Sequence, residues 1–156
     1  MGSTLIDVDL IWQSLPSLLH GAKVSCAIAF LAGLLGTVIG VPLAFFEISK
    51  SHLLRFLTML YVQVFRGTPM LVQILFVYYV LPQFGVLIPP FWAATLAIGL
   101  NSSAYISQVV LSGINAVPIG QIEAAYTLGM SSFATKRYIV FPQALRVAFP
   151  ALGNEA

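Results

Sequence analysis

Few residues in this 156-residue chain are placed to do covalent chemistry. Glu123 is the sole carboxylate between residues 48 and 154, so no acid pair for general acid–base work stands there. His20 and His52 are isolated and lack the spacing of metal ligands. Cys26 is the single thiol and lies inside an apolar run, where a cysteine packs as a small hydrophobe. The sequence contains no G-x-x-x-x-G-K-[ST], no G-x-S-x-G and no H-E-x-x-H, so ATP binding by a P-loop and the common hydrolytic sites are excluded. The chain is expected to be no enzyme and to need no cofactor or metal. What remains are polar groups in apolar surroundings. These are Arg66, the cluster Asn101, Ser102, Ser103, Tyr105, Ser107 and Gln108, and a polar segment around Glu123 that is punctuated by Ala and Gly.

The elements that must carry these groups are membrane helices. Hydrophobic residues make up 59% of the chain and charged ones 8%, against about 25% charged in soluble domains. Mean hydropathy is +0.95. The sequence predicts an all-α polytopic membrane protein. A formal net charge of +2 is too small to suggest nucleic acid as a partner. The first 22 residues hold Asp7 and Asp9 but no Lys or Arg, unlike a secretory signal.

Three spans are expected, at about 24–46, 56–81 and 91–112. The stretch Val24 to Phe46 carries no charge and as a helix would cover roughly 34 Å. Ala32, Gly36 and Gly40 recur every fourth residue and form a small-xxx-small face for close helix packing. In the second stretch Pro69 cannot donate to the carbonyl of Phe65, so the helix must kink or break there. Arg66 in hydrocarbon would cost roughly 2.5–3.5 kcal/mol, so it should face protein or water, or snorkel from a helix end. Pro82, Gly85, Pro89 and Pro90 set the next turn. Lys50, Arg55, Lys136, Arg137 and Arg146 fall on one side of these spans and Lys23 alone on the other. The positive-inside rule then puts the N-terminus outside, with residues 1–18 as an extracytoplasmic segment, and Glu123 inside. In the third span Asn101, Tyr105 and Gln108 share a face at i, i+4, i+7. That face either lines a pathway or bonds a neighbouring helix.

The polar segment reads as two short helices joined by a sharp turn. Pro118 suits the first turn of a helix, and Ile119, Ile122 and Tyr126 form one apolar stripe. Gly129 stands where a left-handed cap would end that helix. Ser131 or Ser132 can cap the next one, which should end before Pro142. Ala124 and Ala125 leave little bulk, allowing a partner surface to approach.

The spacing Glu123-Ala124-Ala125-x3-Gly129-x9-Ile139-x-Phe141-Pro142 resembles the EAA signature of the permease subunits of bacterial ABC importers. The stretches Phe65–Gln73, Tyr78–Pro82, Ser103–Ser107, Phe141–Arg146 and Pro150-x2-Gly153-Asn154-Glu155 resemble blocks of the polar amino acid subfamily. The resemblance implies a type I ABC importer transmembrane domain over residues 19–156, with cytoplasmic coupling helices and the start of a fourth span. It implies a bacterial inner membrane location, a second permease subunit, cytoplasmic ATPase subunits that hydrolyse the ATP, and an extracytoplasmic substrate-binding protein. Glu123, Ala124, Ala125, Gly129, Ile139 and Pro142 would couple to the ATPase. Arg66, Asn101, Ser103, Tyr105 and Gln108 are candidates for the path of a polar amino acid. The sequence departs from the subfamily in having Phe141 for Leu, Gln108 for Glu, Leu111 for Arg, Ser112 for Gly and Ile119 for Lys. Members of the family continue for roughly two more spans, so the end at Ala156 is expected to be a truncation. The rival reading is a non-transporting remnant, or a membrane assembly or structural protein with an interfacial helix hairpin.

Overall fold

The computed structural model describes residues 8–155, and every regular element among them is helical. The proposed N-terminal segment lies partly outside the described residues. Helix α1 runs from Val8 to Glu47, 40 residues. At 1.5 Å per residue it is roughly 60 Å long, about twice the hydrocarbon thickness of a bilayer. The span expected at 24–46 is therefore only the C-terminal part of a longer helix. Charge marks where a helix leaves hydrocarbon, not where it ends, and a nucleated helix extends at one bond per residue.

Helix α2 spans His52–Gly67 and is capped by Ser51, whose Oγ accepts from the Leu54 amide. Helix α3, Met70–Leu75, comes after Thr68–Pro69 and continues through a π turn, Phe76–Val80, into a 3₁₀ turn, Leu81–Phe84. The two halves meet at 101°. The stretch expected at 56–81 is thus a bent pair, broken at Thr68–Pro69 as expected, where the Phe65 carbonyl has no helical amide to accept from. Gly85, at φ +83°, closes this arm, with Val86 N–H on the Leu81 carbonyl at 3.2 Å. Helix α4 covers Pro90–Asn115 and contains the expected span 91–112. Helices α1 and α4 are each long and apolar enough to cross a membrane.

The core is the seam between α1 and α4. A Cβ on Gly40 would come within 2.7 Å of the Ser103 carbonyl, and one on Gly99 within 2.7 Å of Leu35 Cδ2. Gly36 also faces α4 closely, at Ser102, and Ala32 and Ala44 extend the same stripe in full burial. The small-residue face does what its spacing promised. Partner numbers rise together, from Leu35 with Gly99 to Glu47 with Gln108, so the two helices run parallel.

The chain then turns through α5, Ile119–Thr127, and α6, Ser132–Thr135. A π segment, Lys136–Val140, leads directly into α7, Phe141–Glu155. The second short helix was expected to end before Pro142, yet it does not. The π segment shifts the bonding to Phe141 N–H on the Lys136 carbonyl, and this looser register carries the helix past the proline. Helix α7 crosses α4 where Gly113 meets the Ala144 carbonyl with no room for a side chain. Ala44, Val110, Ile114, Val117, Val140 and Ala144 form one buried cluster that joins α1, α4 and the base of the hairpin. The basic loop after α1 and the hairpin therefore share one end of the bundle.

Candidate functional site

Two regions carry the polar groups that the sequence singled out. The first is the hairpin. Leu128 ends α5, and Gly129 is next at φ +79°. Met130 N–H reaches the Ala125 carbonyl at 3.1 Å, and Gly129 N–H the Tyr126 carbonyl at 2.9 Å. This pair of bonds is a Schellman cap, which satisfies the last carbonyls of α5 from the backbone alone. Ser131 Oγ accepts from the Ala134 amide at 3.2 Å and starts α6. Gln143 Nε2 donates to Gln121 Oε1 and ties α7 to α5.

The six coupling candidates divide by burial. Glu123, Ala124, Gly129 and Pro142 are exposed, Ile139 is half-buried, and Ala125 is buried. Of the two alanines only Ala124 is exposed; Ala125 is buried within the chain. Ile122 likewise turns toward the core, while Ile119 and Tyr126 stay exposed. The outer surface is rich in large apolar side chains: Ile119 is 70% exposed, Leu128 83%, Phe133 74% and Tyr138 65%. The Arg137 guanidinium lies 5.9 Å from the Tyr138 ring centroid.

The second region is a largely apolar cavity of about 760 Å³ between α1, the start of α3 and α4, with a few polar groups in its wall. Thr37, Met70, Asn101, Ser102 and Tyr105 are in its wall. Tyr105 also borders a smaller recess of about 220 Å³ with Arg66, Gln108 and Val147. The Arg66 guanidinium lies 5.1 Å from the Tyr105 ring centroid, a cation–π contact at the C-terminal end of α2. Gln108 Nε2 donates to Glu47 Oε2 at 2.8 Å and joins α4 to α1.

Asn101 does both things that its face allowed. It lines the large cavity, and its Nδ2 donates to the Phe65 carbonyl at 3.0 Å and to Gln73 Oε1 at 3.3 Å. Gln73 Nε2 donates to the same Phe65 carbonyl at 2.8 Å. That carbonyl is the one Pro69 cannot serve, so two side chains replace the missing amide. Ser103 belongs elsewhere. It is fully buried, donates to the Leu100 carbonyl at 2.7 Å and bonds the Tyr61 hydroxyl at 2.7 Å. It joins α4 to α2 and is not in the cavity wall. Sequence reasoning missed the roles of Gln73, Glu47 and Tyr61. Only Gln73 left a signal, as an amide just beyond a proline that orphans a carbonyl.

Comparison with known proteins gives this arrangement a lineage. Residues 36–156 match the family described as binding-protein-dependent transport system inner membrane component. A nopaline transport system permease protein of Agrobacterium fabrum is 42% identical over 96% of this chain and 66% of its own length. An L-cystine transport system permease protein of Bacillus subtilis is 38% identical over 97% of this chain and 65% of its own length. The chain thus spans about two thirds of the length of these relatives. A crystal structure of an amino acid ABC transporter with histidines superposes with a TM-score of 0.88 at 38% identity, over 97% of this chain and 71% of that one. An inward-facing methionine ABC transporter shares the fold, with a TM-score of 0.74 at 22% identity over 94% of this chain and 69% of that one. On this match the chain belongs to the family of inner membrane components of binding-protein-dependent transport systems.

Proposed function

We propose that this chain is a permease subunit that forms part of the path of a polar amino acid in an ATP-driven importer. A partner ATPase docks on the α5–α6 hairpin and hydrolyses the ATP. A second permease subunit and an extracytoplasmic binding protein complete the assembly. The observation that carries this reading is the hairpin itself. It is packed into the core at its base, capped by its own backbone, and leaves Ile119, Leu128 and Phe133 exposed for a partner. The relatives that transport nopaline and cystine support a polar amino acid or opine as cargo.

The basic loop after α1 lies at the same end of the bundle as the hairpin, which supports a cytoplasmic hairpin and an outside N-terminus. Cysteines at Ser51 or Thr135, in a Cys26→Ala background, should resist impermeant thiol reagents in intact cells. One at Ser3 should be labelled. Movement of the hairpin by ATPase closure would be passed to α4 and α7 through the Gly113–Ala144 crossing. The test is reconstitution in proteoliposomes with candidate ATPase and binding protein, with substrate-stimulated ATP hydrolysis as the readout. Gly129→Val should abolish stimulation and weaken ATPase co-purification, since a β-branched residue is strongly disfavoured at positive φ. Normal coupling in that variant would remove the docking role.

A further inference from the structure

The corner between α1 and α2 carries positive charge at the foot of an apolar stripe. Glu47 and Lys50 are the first charges after the uncharged run from Val24, so this corner lies where α1 leaves the apolar layer. Lys50, just past α1, and Arg55, in the first turn of α2, are both exposed. Glu47 is the only acid between residues 10 and 122, and its Oε2 accepts from Gln108 of α4. The corner thus holds two cations against one acid, and that acid is engaged elsewhere. Above it Leu53, Phe56, Leu60 and Val64 recur at i, i+3, i+7 and i+11 along α2, and all four are exposed. The stripe rises about 16 Å, close to half of the roughly 30 Å hydrocarbon core of a bilayer.

We infer that the α1–α2 corner is a seat for an anionic phospholipid, with Lys50 and Arg55 on its phosphate and the stripe of α2 along its acyl chains. Cations at the foot of an exposed apolar stripe one leaflet long match the two ends of such a molecule. A soluble partner would meet the cations but leave the stripe uncovered. A zwitterionic lipid brings a cation beside its phosphate, which this corner repels. Other basic residues lack the combination. Lys23 stands alone at the far end of the span, and Arg137 lies against the Tyr138 ring on the hairpin. The inference goes beyond the permease reading and does not depend on it, since it requires only that α1 spans a bilayer, in either direction.

The full chain is purified in a neutral detergent and titrated with phosphatidylglycerol or phosphatidylcholine, with native mass spectrometry reading the bound lipid. Phosphatidylglycerol should bind more tightly. Lys50→Gln and Arg55→Gln should each weaken it about fivefold and leave phosphatidylcholine unchanged. Lys23→Gln, and Lys136→Gln combined with Arg137→Gln, should change neither lipid. An unchanged thermal transition in each variant separates loss of the seat from loss of the fold. Inorganic phosphate and glycerol 3-phosphate carry the anion without the chains and should not compete. In a Cys26→Ser background, bimane attached at Leu57→Cys, an exposed position on α2, should be quenched by phosphatidylglycerol spin-labelled on its acyl chain. Arg55→Gln should relieve that quenching. Equal binding of the two lipids, an equal loss in the hairpin double variant, or displacement by inorganic phosphate would overturn the inference. Tight lipid binding with unquenched bimane would put the lipid elsewhere and overturn it too.

Discussion

Two turns of the chain, at Leu128–Gly129 and at Thr68–Pro69, are held in opposite ways. At Leu128–Gly129 the turn is closed by backbone bonds within six residues, and a Cβ on Gly129 would meet nothing within 4 Å. At Thr68–Pro69 the turn is held by side chains, one of them from a helix more than thirty residues away in sequence. The first turn leaves an outward surface free for a partner. The second has its polar groups committed inward, beside a cavity. A locally closed turn can move as one piece with a partner docked on it. A turn closed by a neighbouring helix changes when that neighbour changes.

The largest expected effect tests whether the hairpin is as independent as its own bonds suggest. Gly113→Val would drive a side chain into the Ala144 carbonyl, where the two backbones touch. Overpacking of this kind costs about 1–3 kcal/mol or more, and the purified chain should lose its thermal transition or show it well below wild type. An unchanged midpoint would mean that the base of the hairpin is loose. Next comes the double variant Gln73→Met with Asn101→Leu, which strips both donors from the Phe65 carbonyl. An unpaired buried carbonyl costs about 1–3 kcal/mol. A double-mutant cycle on the unfolding midpoint should show the pair to be non-additive; simple additivity would separate the two supports and blunt the comparison.

Gly129→Ala should cost about 1–2 kcal/mol for a left-handed alanine, read as weaker ATPase capture with little change in the unfolding midpoint. A large fall in the midpoint would show the turn to be part of the core. Gly129→Asn should recover most of the capture, since asparagine visits this conformation more readily. The smallest effect belongs to Pro69→Ala. It restores an amide to the helix, but Gln73 and Asn101 already serve the carbonyl, so the bend should persist with a change within about 1 kcal/mol. A straight α2–α3 in that variant, seen by the distance between spin labels at the exposed Leu57 and Leu71, would show that the proline and not the two amides makes the bend.

Two further prolines sharpen the same point. Pro82 and Pro142 each stand two residues past a π turn and each precede a glutamine. Gln83 Nε2 reaches the Tyr79 carbonyl at 3.4 Å and Gln143 Nε2 the Ile139 carbonyl at 3.0 Å. The first arm ends at Gly85, whereas the second continues as α7. The local device is the same in both, and the residues beyond the proline decide the outcome. This is why an end before Pro142 was a reasonable reading and a wrong one. Proline forbids one hydrogen bond, and a π register can absorb that loss where the next residues favour helix.

Whatever depends on neighbours in the chain is legible in the residues alone. Hydropathy set the apolar helices, the four-residue spacing of Ala32, Gly36 and Gly40 set a packing face, and Gly129 set a left-handed cap. The orphaned carbonyl of Phe65 was legible too, because Pro69 alone creates it. Which groups answer it depends on the helices that pack beside α2. Asn101 from α4 does so together with Gln73, Ser103 is withdrawn to Tyr61, Gln108 is given to Glu47, and Ala125 is turned inward while Ala124 is left outside. Periodicity assigns a residue to a face of its own helix. Which helix meets that face, and at what angle, is fixed by the 101° bend and by backbone contact at Gly40 and Gly113. A polar side chain buried in a membrane must take whatever partner that crossing brings, since no water is there to serve instead.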